Sequence, residues 1–473
     1  MPDVVPSACH STKRSGRRIV LVAMYPARNP AMPEFISNHG IRMVEATLRA
    51  SSLPGLEVTV FDLHDAVADD LLQAITDIDP DVVAFSAYLW SFPLFADVAV
   101  RLYRDDPRRV VLLGGPSAHP AMLDQLPFHD LRSAFDALIV GEGEHTILEL
   151  ISLSDRSASA ISNVRGIAQW NGRAWHQTAK RPLSDLNELP SPYEMGLVPP
   201  GGLGVLQTYR GCPYTCSFCE WGTMESPKRV RSADSLAREF HEMADIDVDG
   251  ALLVDAGLNL NARAFEQLAL AAETTGFFRH RRLISEVYPA KIQETHLRFL
   301  EDVGEPLIGI GLQSFDNDVL AHVERSFEED RFVANVQDLT SVARVAIEII
   351  MGLPGDSPEK FRENYYRARQ FPCALRVYHC CVLPSALMVR SPPEHQLNYD
   401  PVTLKIRSCM GWTQDDIHDA CEFLNGETRT QAGQIGEYFW VFSTPQNAAR
   451  FTEDHFAIRS VRAPLSAERE RIP

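Results

Sequence analysis

The first 150 residues alternate short β-branched runs with helix-like stretches, and this alternation limits the fold more than any other feature of the sequence. Parallel strands need a crossover connection, usually a helix, and the crossover helices bury both faces of the sheet. The alternation therefore predicts an α/β, doubly wound first domain with five parallel strands. The predicted strands are Ile19–Met24, Val58–Asp62, Val82–Ser86, Val110–Gly114 and Ala137–Gly141.

Small or turn-forming residues follow most of these strands. Ligands of open α/β sheets bind beyond the carboxyl ends of the strands, where glycine lets a ligand approach the backbone closely. We therefore expect a cofactor face along this edge, although any one of the glycines could serve only to turn the chain. The candidate residues of this edge are Tyr25, Ser86, Ala87, Tyr88, Gly114, Gly115, Gly141, Glu142 and Gly143.

A stretch rich in proline and glycine, residues 183–202, separates this domain from a second alternation. Six strand–helix units follow, and they predict a partial (β/α)6 barrel with its active residues at the carboxyl ends of the strands. The predicted barrel strands are Gly204–Tyr209, Ala251–Asp255, Leu283–Val287, Leu307–Gln313, Val345–Met351 and Leu375–Tyr378. We expect a loose tail at 1–16, a first domain at 17–181, a linker at 182–202, a barrel at 203–390 and a small C-terminal segment at 391–473 that caps the barrel.

The bulk composition favours a soluble, cytoplasmic enzyme. The chain has 9 cysteines in 473 residues, which is too sparse for a disulfide scaffold and indicates a reducing compartment. Its 45 basic and 63 acidic side chains give a net charge of −18, which disfavours nucleic acid as a partner. No apolar run approaches the roughly 18–20 residues that span a bilayer, so we expect no membrane partner either.

Three of the cysteines crowd into one short loop directly after the first barrel strand. Cys212, Cys216 and Cys219 follow each other at spacings of four and three. Three thiolates can ligate three irons of a [4Fe-4S] cluster and leave the fourth iron open to an outside ligand. A structural zinc would need a fourth ligand, and the nearest histidine after the loop, His241, lies outside the usual spacing. Three inert buried cysteines are the remaining alternative.

The segment from Gly211 to Cys219 resembles the C-x3-C-x2-C loop of the radical S-adenosylmethionine (SAM) superfamily, with Phe218 as the aromatic residue before the last cysteine. The resemblance implies that the three cysteines hold the cluster and that the open iron chelates SAM. It also implies that one electron from the cluster cleaves SAM to a 5′-deoxyadenosyl radical, and that the backbone near Phe218 lies beside the adenine.

The chain to about residue 390 resembles the cobalamin-dependent (class B type) radical SAM family. Gly114-Gly115-Pro116 and Gly141–Glu144 are similar to turns of its Rossmann-like cobalamin-binding domain, and Gly311–Ser314 and Ile349–Ser357 to its fourth and fifth barrel strand ends. A glycine-rich stretch that is usual after the second barrel strand is reduced here to Asp255-Ala256-Gly257. The SAM-binding candidates in the barrel are Asp255, Glu286, Tyr288, Gln313, Ser314, Gly352 and Leu353. Asp255 and Glu286 are equally well read as ordinary polar groups at strand ends.

The first domain departs from cobalamin domains that supply a histidine to cobalt. The loop after its first strand, residues 25–30, contains no histidine, and His64 follows the second strand instead. We interpret His64 as a strand-end histidine and expect cobalamin to bind with its own base released and no protein histidine on cobalt. Cys380 and Cys381 end the sixth barrel strand, where a thiol that contacts substrate stays open as an alternative to a structural role.

The resemblance implies a methyltransferase that methylates an unactivated carbon, or phosphorus, of a small biosynthetic intermediate through methylcobalamin and the deoxyadenosyl radical. It also implies an electron donor such as flavodoxin or ferredoxin. Radical methyl transfer would require the carboxyl strand ends of both domains to face one shared cavity. Two alternatives stay open: a rearrangement, ring contraction, cyclisation or oxidation with the same cofactors, and a non-catalytic cobalamin and iron–sulfur sensor or redox protein.

Overall fold

The computed structural model describes residues 13–26, 35–223, 229–430 and 438–441. The first sheet comprises strands β1 (Arg18–Tyr25), β2 (Glu57–His64), β3 (Val82–Ser86), β4 (Val110–Gly114), β5 (Ala137–Ile139), β6 (Ile167–Trp170) and β7 (Trp175–Gln177). Its strand order is β2-β1-β3-β4-β5-β6-β7. Strands β1 to β5 pair in parallel, and β6 and β7 continue the sheet as an antiparallel hairpin.

Helices cover both faces of this sheet. They are α1 (His39–Ala50), α2 (Ala68–Ile78), α3 (Phe92–Asp105), α4 (Pro120–Leu123), α5 (Glu144–Ser152) and α6 (Ala158–Ile161), with a 3-10 helix at His129–Ala134. Alternate residues of β1 enter two different apolar clusters: Val20 and Val22 pack with α2 and α3, and Ile19 and Leu21 pack with α1 and α5. A central strand that is buried on both sides is the expected result of parallel crossover connections.

The predicted doubly wound fold is therefore confirmed, with one addition and one shift. The hairpin formed by β6 and β7 was not predicted. The fifth predicted strand ends at Ile139, two residues earlier than expected, so Gly141 and Glu142 lie in the turn that leads into α5. In that turn Gly141 has a positive φ of 87°, a conformation that favours glycine.

The second sheet comprises β8 (Gly204–Leu206), β9 (Gly250–Leu253), β10 (Arg282–Val287), β11 (Glu305–Gln313), β12 (Arg344–Met351), β13 (Ala374–His379) and, from the C-terminal segment, β16 (Tyr438–Val441). The strand order is β16-β13-β12-β11-β10-β9-β8, with every pair parallel. The six predicted barrel strands are all present, and β16 adds a seventh. In the described residues no pairing joins β8 to β16, so the barrel is partial, as predicted.

The helices of this second unit pack against one face of its sheet. They are α7 (Ala233–Asp245), α8 (Ala262–Thr275), α9 (Glu294–Glu301), α10 (Asn317–His322), α11 (Glu329–Val342), α12 (Pro358–Ala368), α13 (Leu387–Arg390) and α14 (Gln414–Thr430), with short 3-10 helices at Glu220–Thr223, Phe277–His280, Pro289–Lys291 and Pro393–His395. Leu283 and Val287 of β10 belong to this core, whereas Ile284 and Glu286 lie on the opposite, inner face because side chains alternate along a strand.

The segment after residue 390 contacts both units. It contains the short antiparallel pair β14 (Asn398–Tyr399) and β15 (Ile406–Ser408). Leu404 is fully buried in a core cluster of the first domain, and the Tyr399 hydroxyl donates to Oε1 of Gln125 at 2.9 Å. Trp412 and Ile417 pack instead into the core of the second unit. The C-terminal segment therefore joins the second unit to the first domain. None of the helices in the described ranges is both long and apolar enough to span a membrane.

Candidate active site

The three cysteines of the loop between β8 and α7 form a donor set that fits an iron–sulfur cluster. Cys216 is buried, and Cys212 and Cys219 are partly exposed. Burial raises the pKa of the Cys212 thiol, while a hydrogen bond from the Tyr214 N–H and the positive charge of Arg325 act in the opposite direction and favour the thiolate. Among the described residues, no three His, Cys, Asp or Glu side chains are already gathered closely enough to hold a metal ion, so the sulfurs would have to turn toward one another.

The cysteine loop is held from two sides by groups outside it. Arg390, at the end of α13, donates to the carbonyl of Cys216 at 3.1 Å and also to the carbonyl of Thr215. The Ser217 N–H donates to the carbonyl of Val323 at 3.0 Å. These contacts hold the backbone of the loop in place.

Asp255 does not point into an open site. Its Oδ1 accepts hydrogen bonds from the Thr208 N–H at 2.9 Å and the Tyr209 N–H at 3.3 Å, and its Oδ2 accepts one from the Thr208 hydroxyl. Thr208 and Tyr209 lie between β8 and the cysteine loop, and the Tyr209 hydroxyl donates to the carbonyl of Gly257 at 2.9 Å. Both carboxylate oxygens therefore help to position the start of the loop, and a direct contact of Asp255 with SAM stays a prediction.

Burial raises the pKa of Asp255 to about 7, so this carboxylate makes stability depend on pH. Because the folded pKa lies above the unfolded one, its stabilising contribution is complete below about pH 4 and is lost as the pH rises toward 7. Asp255→Asn keeps an acceptor oxygen and does not titrate. We expect its free energy of unfolding to rise relative to wild type between pH 5 and 8, by no more than about 4 kcal/mol.

Urea unfolding at several pH values measures this difference. Asp245→Asn, at an exposed position near the end of α7, is the matched control and should follow wild type. Parallel pH profiles for Asp255→Asn and wild type would contradict the assignment.

Two stacked aromatic rings, each contacted by one cation, lie beside the cysteine loop. The rings of Tyr214 and Tyr288 stack with centroids 4.6 Å apart. Lys291 Nζ lies 5.1 Å from the centroid of Tyr214, and Arg325 Cζ lies 5.2 Å from that of Tyr288. Arg325 also reaches the cluster candidates, since its Nη1 lies 3.8 Å from Cys216 Sγ. The predicted residue Tyr288 thus packs against the loop with its ring, and its hydroxyl donates to the carbonyl of Ser326 at 2.7 Å.

Several polar side chains that contact one another line the inner face of the second sheet next to this stack. Arg376 Nη1 donates to Glu348 Oε1 at 3.2 Å and lies 3.9 Å from Glu286 Oε1. The Tyr378 hydroxyl donates to the same Glu348 oxygen at 2.9 Å. Gly309, on the strand between them, makes room, because a Cβ there would lie 2.1 Å from Glu286 Oε1. The predicted residue Glu286 therefore shares one guanidinium with a second carboxylate.

Glu286 lies on the inner face of the second sheet. Its side chain is 44% exposed, yet burial within the surrounding protein raises its pKa well above the usual range, and the neighbouring Glu348 raises it further. We conclude that the Glu286 carboxyl group holds a proton readily and can either donate or accept a hydrogen bond to a bound molecule.

The remaining barrel candidates divide between the inner face and the core. Gln313 ends β11 with a positive φ of 71° after a bulge, an unusual backbone conformation for a residue with a side chain. Ser314 is buried, and its hydroxyl accepts from Asn364 Nδ2 at 2.9 Å. Leu353 is fully buried in the apolar core, and Gly352 packs under β15. The side chains of Ser314 and Leu353 are therefore packed within the protein, and the contact of these residues with SAM stays a prediction. Phe218 is half-buried and packs against the same core.

Three aromatic rings line the carboxyl edge of the first sheet. Tyr88 and Trp90, after β3, stack with centroids 4.8 Å apart at 8°, and Tyr25, at the end of β1, lies 6.3 and 6.2 Å from them. Trp90 Nε1 donates to the carbonyl of Met24 at 2.6 Å, which holds the stack in place. Burial raises the pKa of Tyr88, whose hydroxyl is hydrogen-bonded to Asn38 and Ser86. The edge therefore presents a flat, largely apolar surface that fits a planar macrocycle.

Two glycines at this edge have the same backbone conformation and different surroundings. Gly115 and Gly141 both have φ of 87°. A Cβ on Gly115 would lie 2.6 Å from the carbonyl oxygen of Ala87, whereas one on Gly141 would meet nothing within 4 Å. Gly114 accepts the Ala87 N–H at 2.7 Å. Gly115 therefore lets the turns after β3 and β4 approach each other, and Gly141 borders open space where a ligand could approach.

Glu142 is occupied by the second unit and is not free on the cofactor face. Its carboxylate accepts from Arg229 at 2.6 and 3.1 Å, and its Oε1 lies 3.2 Å from Arg210 Nη1. Gly143, next to it, packs against Val44 and Ile139. This carboxylate therefore joins the two units, and its contact with cobalamin stays a prediction.

His64 already has backbone partners for both ring nitrogens. Its Nδ1 lies 3.2 Å from the carbonyl oxygen of Pro26, and its Nε2 lies 3.0 Å from that of Ile36. The ring also packs against Tyr25 and Phe35. This agrees with its interpretation as a strand-end histidine.

The carboxyl edge of the first sheet packs against the inner face of the second sheet. Ile36 of the first domain forms an apolar cluster with Leu203 and Val205 at β8, and Tyr25 and Ile284 pack against that cluster. Ile284 lies on the inner face of the second sheet, two residues before Glu286. The carboxyl edge of the first sheet therefore faces the inner side of the second sheet, as radical transfer between their ligands would require.

Family profiles match both units. The profile of the Radical SAM superfamily matches residues 206–365, and that of the B12 binding domain matches residues 32–151. The first match spans the cysteine loop, and the second includes Tyr88 and Trp90 of the aromatic edge. The chain belongs to the cobalamin-dependent radical SAM enzymes.

Two curated relatives of this cobalamin-dependent radical SAM protein are methyltransferases. The 2-(S-pantetheinyl)-carbapenam-3-carboxylate methyltransferase of Streptantibioticus cattleyicolor is 27% identical over 399 residues, which cover 79% of this chain and 56% of the relative. The cobalamin-dependent radical SAM methyltransferase TokK of Streptomyces tokunonensis is 29% identical over 343 residues, covering 65% and 48%. The chain thus spans about half the length of these relatives.

A solved structure has the same fold. The cobalamin-dependent SAM radical enzyme OxsB, with aqua-cobalamin and SAM bound, is similar to this chain with a TM-score of 0.66 at 14% sequence identity, over 88% of this chain and 67% of OxsB. At this identity the likeness shows the fold alone.

Sequence reasoning missed several residues of the site. Trp90 and Arg325 carry no local motif, and Arg376 and Glu348 are recognisable only once β12 and β13 are known to be neighbours. The one available signal was that the polar residues Arg376 and Tyr378 alternate with apolar residues along β13. Such alternation indicates a polar inner face, which is expected where a barrel holds a ligand. Cys380 and Cys409 pack in the core, and burial raises the pKa of both thiols, so neither is a candidate nucleophile.

Proposed function

We propose that this chain is a cobalamin-dependent radical SAM methyltransferase that methylates an unactivated carbon, or phosphorus, of a small biosynthetic intermediate. One observation carries the proposal: Tyr25, at the carboxyl edge of the first sheet, and Ile284, on the inner face of the second, pack against the same apolar cluster of Ile36, Leu203 and Val205. When bound, the cluster and SAM supply a 5′-deoxyadenosyl radical and cobalamin supplies a transferable methyl group, so both reactive groups must reach one substrate atom.

Cys212, Cys216 and Cys219 are proposed to hold the cluster, and the residues around them are proposed to bind SAM. Arg325 lies against Cys216 with its guanidinium facing the loop, which suits the carboxylate of a molecule chelated there. Glu286, on the inner face of the second sheet, suits a hydroxyl or ammonium group.

The first domain is proposed to bind cobalamin on its aromatic edge. The stack of Tyr25, Tyr88 and Trp90 offers a flat surface, and Gly141 leaves open space beside it. Apolar packing by Ile36 and Val205 closes one side of the shared space, which excludes water from a reactive radical.

A small-molecule substrate is supported by the relatives, one of which acts on a pantetheinyl carbapenam carboxylate according to its name. A reduced protein such as flavodoxin or ferredoxin is the proposed electron donor, since Pro213 and Thr215 expose the cysteine loop at the surface. The partly exposed thiols Cys212 and Cys219 suit a reducing, cytoplasmic setting.

We expect bound cobalamin to have no protein histidine on cobalt, because both His64 ring nitrogens already contact backbone carbonyls. Electron paramagnetic resonance (EPR) of the cobalt(II) form should show no histidine nitrogen hyperfine coupling. His64→Ala should bind hydroxocobalamin within about threefold of wild type and give the same spectrum, with His119→Ala as the control histidine. A nitrogen signal that disappears in His64→Ala would show that His64 is a ligand after all.

The alternatives differ in what they make from SAM. A methyltransferase forms S-adenosylhomocysteine and 5′-deoxyadenosine, a non-methylating radical enzyme forms only 5′-deoxyadenosine, and a sensor or redox protein forms neither. Anaerobic incubation of the cofactor-loaded protein with SAM and a reductant, followed by quantification of both products, tests the proposal.

A further inference from the structure

Four charged side chains join the two units beside the cysteine loop. Glu142 lies in the turn after β5, Glu144 is the first residue of α5, and Arg210 and Arg229 flank the cysteine loop. We call these four residues the interdomain cluster. Arg210 Nη2 donates to Glu144 Oε1 at 2.6 Å, and its Nη1 lies 3.2 Å from Glu142 Oε1. Arg229 donates to both oxygens of Glu142.

The interdomain cluster is largely shielded from water, and its opposite charges are closely paired. The side chains of Arg210 and Glu144 are 9% and 8% exposed. Further hydrogen bonds fix both arginines: Arg210 Nε donates to Gln207 Oε1 at 2.7 Å, and Arg229 Nη1 donates to the carbonyl of Ser184 at 2.9 Å. Removing one partner of such a pair leaves a buried charge uncompensated, whereas exposed pairs contribute little. The cluster therefore holds one geometry.

The charges nearest to the interdomain cluster do not compete with it. Arg231 and Glu239 pair with each other at 2.6 Å. His39, the first residue of α1, lies among these groups, and burial lowers its pKa to about 4, so the ring is neutral at ordinary pH. Two carboxylates and two guanidiniums thus balance within the cluster.

Both ends of the interdomain cluster are attached to a proposed cofactor edge. Arg210 is followed by Gly211, with φ of 105°, and then by Cys212. Glu142 directly follows Gly141, which borders the open space at the aromatic edge. A displacement of Arg210 moves the backbone that carries the first cysteine, and a displacement of Glu142 moves the turn at the other edge.

We propose that the interdomain cluster sets the distance between the cobalamin edge and the cysteine loop, so that Arg210 and Glu144 are positioning residues for the reaction. This inference rests on the proposed function. A displacement of about 1 Å between reacting groups can cost ~100-fold in rate, which gives a rigid, buried ionic contact a purpose here beyond stability.

The test measures the distance between two paramagnetic centres. Protein loaded with hydroxocobalamin and reconstituted with iron and sulfide is reduced to cobalt(II) and the reduced cluster, and their magnetic interaction is recorded by EPR as a distance distribution. We expect Arg210→Gln and Glu144→Gln to broaden the distribution at least twofold, with the double variant no broader than either single one. Arg298→Gln, which breaks an exposed ion pair with Glu294, is the control and should match wild type.

An unchanged distribution in loaded Arg210→Gln and Glu144→Gln would overturn the proposal. If Arg210→Gln does not fold, Glu142→Gln replaces it, because that carboxylate is the less buried of the two. A wild-type protein that takes up no cobalamin or no iron would refute the proposed function separately. In that case the energetic coupling between Arg210 and Glu144 is measured from the melting temperatures of the cofactor-free protein. The melting temperature should fall by the same amount in the two single variants and in the double variant. Additive losses in the double variant would refute the proposed role of the interdomain cluster.

Discussion

Replacing Cys216 with alanine should reduce the iron content of the anaerobically reconstituted protein from about four atoms per chain to less than one, because two thiolates cannot hold a cubane cluster. Cys216 is the buried member of the three and lies against Arg325, so its loss removes the ligand that is most shielded from solvent. Formation of 5′-deoxyadenosine should fall at least 100-fold. Iron and sulfide analysis and product quantification measure the two effects.

Cys373→Ser is the matched control for this variant. Cys373 is a free, partly exposed thiol just before β13, outside the cysteine loop. It should keep full iron content and activity. A Cys216→Ala protein with a complete cluster and normal 5′-deoxyadenosine formation would show that the loop does not hold the cluster.

Replacing Gly115 with valine should weaken cobalamin binding and leave the cluster in place. A Cβ there would lie 2.6 Å from the Ala87 carbonyl oxygen and 2.8 Å from the Ala87 nitrogen, and both atoms belong to backbone that cannot move away cheaply. The positive φ adds roughly 1–2 kcal/mol of strain and the clash a further 1–3 kcal/mol. The turns after β3 and β4 should separate and disrupt the aromatic edge. Affinity for hydroxocobalamin should fall at least tenfold.

Gly141→Ala separates backbone strain from the clash. Gly141 has the same φ as Gly115 but open space around its Cβ position, so this variant bears the strain alone, about 1 kcal/mol. It should bind hydroxocobalamin within about threefold of wild type. Equal losses of affinity in the two variants would mean that strain, and not the contact with Ala87, controls binding.

The fold was largely predictable because its signals are local. The apolar runs of β1, β3 and β4 are continuous, as expected of strands buried on both faces, and the helices between them have clear apolar stripes. The hairpin of β6 and β7 escaped because the strands have only four and three residues and pair with each other and the sheet edge. Strands this short contain too few residues for an alternating pattern to be recognised.

The roles of single site residues were less predictable, because they depend on partners far away in the chain. Asp255 accepts a hydrogen bond from Thr208, 47 residues away in the sequence, and Glu142 accepts one from Arg229, 87 residues away. A polar residue at a strand end has the same local sequence whether it binds a ligand or clamps a neighbouring loop. The three cysteines were different, since their spacing on one short loop is itself the signal.

The central claim is that one chain uses SAM in two ways at one shared space, and the products of SAM show this directly. Wild-type protein reconstituted with iron, sulfide and hydroxocobalamin is incubated anaerobically with SAM and a reductant. We predict that 5′-deoxyadenosine and S-adenosylhomocysteine both form, that Cys216→Ala makes only S-adenosylhomocysteine, and that protein without cobalamin makes only 5′-deoxyadenosine. Cobalamin-loaded wild type that forms 5′-deoxyadenosine without S-adenosylhomocysteine would contradict methyl transfer.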